Sequence, residues 1–171
     1  LPGWIAQLPA ALVFGSVTLR AALRYWGGPQ FAPIMAVLAA WLALLLVEPA
    51  ISRRWAWFFA PYLALQAATP ILLIASPAEA DWSAVLVAIL SMQVMQRLPV
   101  RAGIALIGML TLLVAGALVW LFGVEEAIGH ALIYAAANGL LGSHALAIRR
   151  AQEARERNQR LAADLEEANR R

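Results

Sequence analysis

The sequence predicts an all-α membrane protein with six transmembrane helices, the sixth of which continues into a parallel coiled-coil helix. The first observation is composition: 63% of the 171 residues are hydrophobic and 13% are charged, whereas ordinary soluble domains are about 45–50% apolar and about 25% charged. The second is the placement of charge, because the last 27 residues hold 12 of the 23 charged residues. The third is a heptad pattern in that charged tail. The chain therefore divides into a transmembrane bundle, residues 1–146, and a linker helix, residues 147–171.

Six apolar segments predict the membrane-spanning helices, which need about 20 residues each. The segments are Ile5–Tyr25, Phe31–Val47, Trp55–Ile74, Trp82–Val94, Gly103–Phe122 and Ala127–Ile148. Polar stretches that contain Gly, Pro or charged residues separate them at 27–30, 48–54, 76–82, 96–101 and 123–127. Such stretches are typical of loops.

The first four segments each carry an irregularity. Segment one is the weakest because it contains Arg20 and Arg24. Segment two has Trp41 at its centre, although Trp is usually found at membrane interfaces. Segment three contains Pro61 and Pro70, which predict a kinked helix whose freed carbonyl groups need donors from neighbouring helices. Segment four is short, which indicates a tilted helix or ends that lie further out.

Arginine marks one face of the predicted bundle. The arginines between or after segments are Arg53, Arg54, Arg97, Arg101, Arg149 and Arg150. All fall on the same side, and the positive-inside rule makes that side cytoplasmic. The opposite loops carry Glu79, Asp81, Glu125 and Glu126. We therefore expect a multi-pass protein in the lipid bilayer of the bacterial cytoplasmic (inner) membrane, with both termini in the cytoplasm.

The tail has the heptad pattern of a parallel coiled coil. Its seam positions are Ala147, Ala151, Ala154, Asn158, Leu161, Leu165 and Ala168. An Asn at an a position fixes register and favours two strands, so we expect a parallel homodimer. The Ala-rich seam is weak and needs the bundle or a further domain to support it. The alternative is a solvated amphipathic helix with no signalling role.

One continuous helix is expected from about Ala127 through the tail, because no Gly or Pro separates segment six from it. Favourable i,i+4 pairs support the tail helix. They are Glu153–Arg157, Glu156–Arg160, Glu166–Arg170 and Glu167–Arg171. The absence of a stop signal at Arg171 predicts that the natural protein extends beyond this residue.

Seven polar residues within the predicted bundle are candidates for sensing. They are Arg20, Gln66, Thr69, Gln93, His130, Tyr134 and Asn138. Polar and ionisable groups are expensive in lipid, so we expect these residues to line a polar interior or ligand pocket near the outer leaflet. Alternatively, they form hydrogen bonds that only hold the helices together. Arg20 and Arg24 can also extend to the outer interface.

Segment six presents three faces. The polar stripe consists of His130, Tyr134 and Asn138, spaced four residues apart, and is expected to face its own bundle. The coiled-coil seam extended backwards reaches His144, Leu140 and Ile133, and is expected to meet the partner helix. The third face consists of Ala135, Gly139 and Ser143, small residues that suit close helix packing.

The sequence lacks the residues that several other functions require. The chain has no Cys, which excludes disulfides and thiol catalysis, and it shows no metal-ligand pattern. His130 and His144 lie about 21 Å apart along one helix, so they cannot hold one haem between them. No catalytic residues are expected, which argues against an intramembrane enzyme, and arginines at segment ends argue against direct nucleic-acid binding. A small transporter or channel, a structural subunit of a larger membrane complex and a pH sensor based on His130 remain open.

The run RRAQEARERNQRLAADLEEANRR, residues 149–171, resembles the linker helix of bacterial sensor histidine kinases. It is most similar to the branch whose response regulators carry a LuxR/NarL-type DNA-binding domain, which includes multispanning thermosensor kinases. The resemblance implies a membrane sensor region that passes a membrane or small-ligand stimulus through the sixth helix to a downstream kinase domain. It also implies that ATP, Mg²⁺ and the response regulator are bound by that downstream part, with no cofactor in this region. The sequence slightly favours bilayer thickness or fluidity as the stimulus, because segments one and four make hydrophobic mismatch easy to sense.

Overall fold

The computed structural model of the protein describes residues 3–76 and 80–170, with the backbone alone for residues 3–7, Arg53 and Ala56. These residues form six α-helices and two short 3₁₀ turns. The helices are α1 (Gly3–Tyr25), α2 (Phe31–Arg54), α3 (Phe59–Ala75), α4 (Leu86–Arg97), α5 (Val100–Phe122) and α6 (Val124–Arg170). The predicted all-α class is confirmed for the described residues. The predictions for Glu79, the Arg53 side chain and the Glu167–Arg171 pair lie outside them.

Two predicted loops were wrong or too long. The stretch 48–54 is helical, since α2 continues through Pro49 to Arg54. Glu48 and Ser52 are buried within this extension, so it packs against the protein instead of leaving it as a loop. The stretch 96–101 shrinks to Leu98 and Pro99, because α4 ends at Arg97 and α5 begins at Val100.

The two short turns modify segments three and four. A 3₁₀ turn at Ala56–Phe58 precedes α3, so the regular helix begins four residues later than Trp55. A second 3₁₀ turn at Asp81–Val85 leads into α4, which has only 12 residues. This helix is about 18 Å long, which agrees with the prediction that segment four is short.

The bundle has polar groups inside and large apolar groups outside. Gln66, Ser91 and Asn138 are buried, whereas Leu112, Trp120 and Leu140 are at least two-thirds exposed. Three helices, α2, α5 and α6, are long and apolar enough to cross a membrane, and α3 is a shorter apolar helix. This arrangement suits a lipid environment. By length and composition, three to four described helices qualify, fewer than the six predicted.

Helix α4 lies at the centre of the bundle. Its side chains from Leu86 to Met92 are all buried, and it contacts α1, α3, α5 and α6. Its most extensive contact is with α6. Two glycines allow α4, α5 and α6 to pack closely: a Cβ atom at Gly103 of α5 would lie 2.7 Å from Met95 Sδ of α4, and one at Gly142 of α6 would lie 3.1 Å from Ile107 Cδ1 of α5 and 3.6 Å from Met95 Cγ of α4.

Helix α6 is continuous over 47 residues, about 70 Å, which confirms the predicted continuity of segment six and the tail. Its last buried residue is Ala145, and every described residue from Arg150 onward is exposed. Two of the predicted tail pairs form, Glu156–Arg160 at 3.9 Å and Glu166–Arg170 at 3.7 Å. The pairing of two tails in a coiled coil remains a prediction.

The proline in the middle of α3 explains the central position of Trp41. Pro70 has no N–H, so the carbonyl group of Gln66, four residues earlier, loses its helical donor. The Trp41 indole Nε1 of α2 donates to this carbonyl oxygen at 3.2 Å, and Gln66 Nε2 donates to the Trp41 carbonyl at 3.0 Å. The prediction that a neighbouring helix supplies the missing donor is confirmed.

Candidate functional site

Polar contacts join α6 to α4 at two places, the 3₁₀ turn that precedes α4 and the end of α4. We call the end that carries Arg97, Arg101, Arg149 and Arg150 the basic end, and the end that carries Arg20, Asp81 and His130 the distal end. Between the two ends, α4 and α6 pack along their length through Met92, Met95, Leu141 and Ala145. Helix α4 is therefore held to the one helix that leaves the bundle.

Arg149 makes the contact at the basic end. Its Nη1 donates to the carbonyl oxygen of Leu98 at 2.8 Å and approaches that of Met95 at 3.5 Å. Its Nε donates to Glu153 Oε1 at 3.0 Å. The last carbonyl groups of a helix have no partner within it and carry partial negative charge. A guanidinium group satisfies both the hydrogen-bonding and the electrostatic requirement, so Arg149 fixes α6 to the end of α4.

A buried ion pair lies at the same end. Arg97 Nη2 is 2.8 Å from Glu48 Oε1 and 3.0 Å from Glu48 Oε2. The Glu48 side chain is only 3% exposed, while that of Arg97 is 38% exposed. A carboxylate this deeply buried requires a partner, and this pair ties α2 to the last residue of α4.

The distal end joins the turn before α4 to α6. The Tyr134 hydroxyl donates to the carbonyl oxygen of Asp81 at 3.0 Å. His130 Nε2 lies 3.7 Å from Asp81 Oδ2. His130 Nδ1 is 2.9 Å from the carbonyl oxygen of Glu126, a contact that is a hydrogen bond when Nδ1 carries a proton. The approach of Nε2 to Asp81 is then an ion pair only when the imidazole is doubly protonated.

A cavity of about 430 Å³ opens beside these residues, between α1, the second 3₁₀ turn and α6. Its lining residues are Ser16, Val17, Arg20, Asp81, Trp82, Val85, His130, Ile133 and Tyr134. Trp82 is 4% exposed, and its Nε1 has no hydrogen-bond partner among the described residues. The cavity thus combines apolar walls with donors and one carboxylate.

The seven residues predicted for sensing fall into separate groups. Arg20, His130 and Tyr134 meet at the distal cavity. Gln93 accepts a hydrogen bond from the Tyr62 hydroxyl at 2.9 Å. Asn138 Nδ2 donates to Thr111 Oγ1 at 2.9 Å. Gln66 pairs with Trp41, as described above. Thr69 donates to the Leu65 carbonyl of its own helix at 3.0 Å.

Several site residues were missed by the sequence reasoning. The sequence places Asp81 in a loop and Trp82 at the start of segment four, and it indicates for Arg97 and Arg149 only that they mark the topology. Glu48, an acidic residue next to an apolar run on the arginine-rich side, was a usable signal for a buried ion pair. Nothing local indicates that its partner is 49 positions away.

The three faces of α6 separate in the structure. Tyr134 and Asn138 are buried against the bundle, and His130 is half-exposed. Ile133, Leu140 and His144, the backward extension of the seam, lie on the exposed surface. Gly139 of the small-residue face borders open space, so the close approach within this chain occurs instead at Gly142.

No group of three or more His, Asp or Glu side chains that could hold a metal ion occurs within residues 3–76 and 80–170. Comparisons with protein-family models, curated proteins and solved structures find no match to this chain. The contacts within the chain are therefore the basis for its function.

Proposed function

We propose that this chain is the membrane sensor and signal-transmission region of a dimeric sensor histidine kinase. In this proposal its helices cross the bacterial cytoplasmic membrane six times, and the basic end faces the cytoplasm. A membrane or small-ligand stimulus changes the position of α6, which passes the change to a kinase domain beyond Arg171. ATP, Mg²⁺ and the response regulator bind that downstream part.

The observation that carries the proposal is the attachment of α4 to α6 at both ends. Tyr134 and His130 contact Asp81 just before α4, and Arg149 contacts the carbonyl groups at the end of α4. A helix tied at two points to a second helix cannot shift alone. Any displacement of α4 inside the bundle is therefore passed to α6, which leaves the bundle without a break.

The surface of α6 supports a parallel dimer. Ile133 and Leu140 are 65% and 69% exposed, and they continue in heptad register into Leu161 and Leu165 of the tail, which are 60% and 70% exposed. An apolar stripe that runs from the bundle into a polar tail is typical of helices that pair along their length. A second copy of the chain provides the same stripe.

The dimensions of the helices favour a bilayer stimulus. Helices α2 and α5 have 24 and 23 residues, about 35 Å each, whereas α4 has 12 residues, about 18 Å. A change in hydrocarbon thickness acts on the long outer helices and not directly on the short central one. The resulting relative movement reaches α6 through its two attachments.

Site-specific cross-linking tests both parts of the proposal. The chain contains no Cys, so single cysteines report unambiguously. Ala168→Cys lies at a predicted d position, and Ala163→Cys lies at the outward-facing f position. We expect oxidation in vesicles to link Ala168→Cys efficiently and Ala163→Cys poorly, because only seam positions bring two Cβ atoms within disulfide reach. Equal linking of the two variants would contradict the parallel dimer.

Transmission is tested in the same assay by changing the bilayer. Vesicles of short-chain and long-chain phosphatidylcholine are expected to give different cross-linking rates for Ala168→Cys. Adding Arg149→Gln is expected to reduce this difference, whereas Arg150→Gln, an exposed neighbour, is expected to preserve it. A rate that does not depend on thickness would contradict bilayer sensing, and equal effects of the two arginine variants would contradict transmission through Arg149.

A further inference from the structure

The distal cavity has the features of a binding site for an anion. Arg20 lines it, and no ion-pair partner for Arg20 is found among the described residues. Most arginines of the bundle lie at the basic end. Because Arg20 lies at the distal end without an ion partner among the described residues, we expect it to bind an anion.

The second observation is the buried indole of Trp82. An indole N–H can only donate, and a buried donor without an acceptor costs free energy. Trp82 is 4% exposed, lines the cavity, and has an Nε1 atom without a partner in the described part of the chain. The Nε1 atom is itself inaccessible to solvent, so an acceptor in the cavity reaches this donor only after the indole turns toward the cavity.

The surroundings narrow the class of ligand. Val17, Val85 and Ile133 give the cavity apolar walls. An adjoining open groove shares Ser16 and Arg20 with the cavity and adds Leu19, Leu23 and Arg24. Arg20 and Arg24 are one turn apart on α1, so two guanidinium groups face a surface that also offers apolar contact. The carboxylate of Asp81 is directed to His130.

We propose that the distal cavity binds the oxyanion headgroup of an acyl-chain amphiphile, held by Arg20, with the Trp82 N–H as a second donor once the indole turns toward the cavity. Arginine binds phosphate and carboxylate through paired hydrogen bonds, and the apolar walls accept the adjoining part of the molecule. The ligand touches α1, the turn before α4 and α6 together. The idea that the bound ligand changes the position of α6 rests on the proposed function, whereas the binding of the ligand does not.

Lipid retention measured by native mass spectrometry tests the site. The probes are phosphatidylglycerol, whose headgroup has a net negative charge, and zwitterionic phosphatidylcholine, whose phosphate is balanced by its choline group, each added at equal concentration to the purified chain. We expect preferential retention of phosphatidylglycerol. Arg20→Gln is expected to weaken it by roughly tenfold or more, because a hydrogen bond to a charged group contributes at least about one power of ten to an equilibrium constant.

Two further variants separate the site from general electrostatics and from misfolding. Trp82→Phe removes the N–H together with the pyrrole part of the indole, so its fold is checked by the cross-linking described below, and it is expected to weaken retention by roughly threefold to tenfold. Arg101→Gln removes an exposed arginine from the basic end and is expected to change nothing. Equal retention of the two lipids, or unchanged retention in Arg20→Gln, would overturn the site. So would an equal loss in Arg101→Gln.

Palmitate distinguishes the source of the headgroup. Displacement of phosphatidylglycerol by palmitate supports a site that also takes free fatty acids, and retention that palmitate does not affect supports a bilayer lipid. Cross-linking of Ala168→Cys in the same variants reports the fold and the dimer. In a protein whose bundle is otherwise unaltered, equal retention of the two lipids with intact cross-linking overturns the site alone, and absence of cross-linking with the lipid preference retained overturns the proposed function alone.

Discussion

Helix α4 and the tail of α6 lie in opposite surroundings. In α4 nearly every side chain is buried, and its sequence LVAILSMQVMQR contains β-branched residues and Ser that favour helices only weakly. In residues 150–170 every side chain is exposed, and Ala, Leu, Arg, Glu and Gln dominate, which are strong helix formers. Both segments contain many strong helix formers, but α4 is also enclosed by tertiary packing, whereas the tail depends on local propensity alone.

The difference indicates where the molecule is rigid and where it can respond. A helix held by packing on all sides moves only with its neighbours. A helix held by its own backbone, with an apolar stripe left uncovered, is free to change its partner or register. The two regions meet at Arg149, which contacts the end of α4 and begins the exposed tail.

The largest effect is expected from the ion pair at the end of α4. Arg97→Gln leaves the Glu48 carboxylate buried without a cation, and we expect a loss of about 2–3 kcal/mol in the free energy of unfolding. This is below the full penalty for breaking a buried pair, because Arg97 is 38% exposed. Denaturation in detergent measures it. Arg101→Gln, four residues further along and exposed, is the control, and an equal effect of both variants would show that the pair has no special role.

A slightly smaller effect is expected from the contact between α4, α5 and α6. Gly142→Val places a side chain against Ile107 and Met95, and overpacking of this kind costs about 1–3 kcal/mol. Gly139→Val, on the same helix with open space around its Cβ position, should change the free energy of unfolding far less. If Gly139→Val lowers the free energy of unfolding more than Gly142→Val does, the close helix contact of α6 in the membrane is at Gly139 and not at Gly142.

The smallest effect on the bundle is expected in the tail. Asn158→Leu replaces an exposed residue, so the free energy of unfolding of the bundle should change by less than about 0.5 kcal/mol. The same change should strengthen the seam and raise the cross-linking of Ala168→Cys, because Asn at an a position costs coiled-coil stability. Gln159→Leu, one position outside the seam, is the control. Cross-linking that rises equally in both variants would indicate non-specific association.

The sequence predicts what depends on local rules and misses what depends on distant partners. The continuity of α6 follows from the absence of breakers, and the need of the Gln66 carbonyl group for a donor follows from Pro70. The helical state of 48–54 does not follow, because Pro49 and the charged residues favour a loop there, whereas the burial of Glu48 and Ser52 and the pairing of Glu48 with Arg97 depend on the three-dimensional fold. For the same reason, the seven polar candidates could be identified as intramembrane groups but not sorted into their separate hydrogen-bonded sets.

The residues of the distal cavity also divide into those that local rules predict and those that depend on distant partners. His130 and Tyr134 were predictable as one stripe, since a spacing of four places them on one face of a helix. Asp81 and Trp82 come from a 3₁₀ turn whose position depends on how α3 and α4 pack. Ser83 in this turn donates to the Pro70 carbonyl oxygen at 3.1 Å, a contact between two segments that no local pattern indicates.

The Arg149 contact also has a practical consequence for protein engineering. The change in composition near residue 146 invites a fusion point there, but a chimaera joined at that residue would replace the guanidinium group that covers the carbonyl groups of Leu98 and Met95. A junction placed after Glu153, the ion-pair partner of Arg149, keeps the attachment intact. The helix can then be grafted onto a foreign output domain in any chosen heptad phase, with the phase counted from Arg149.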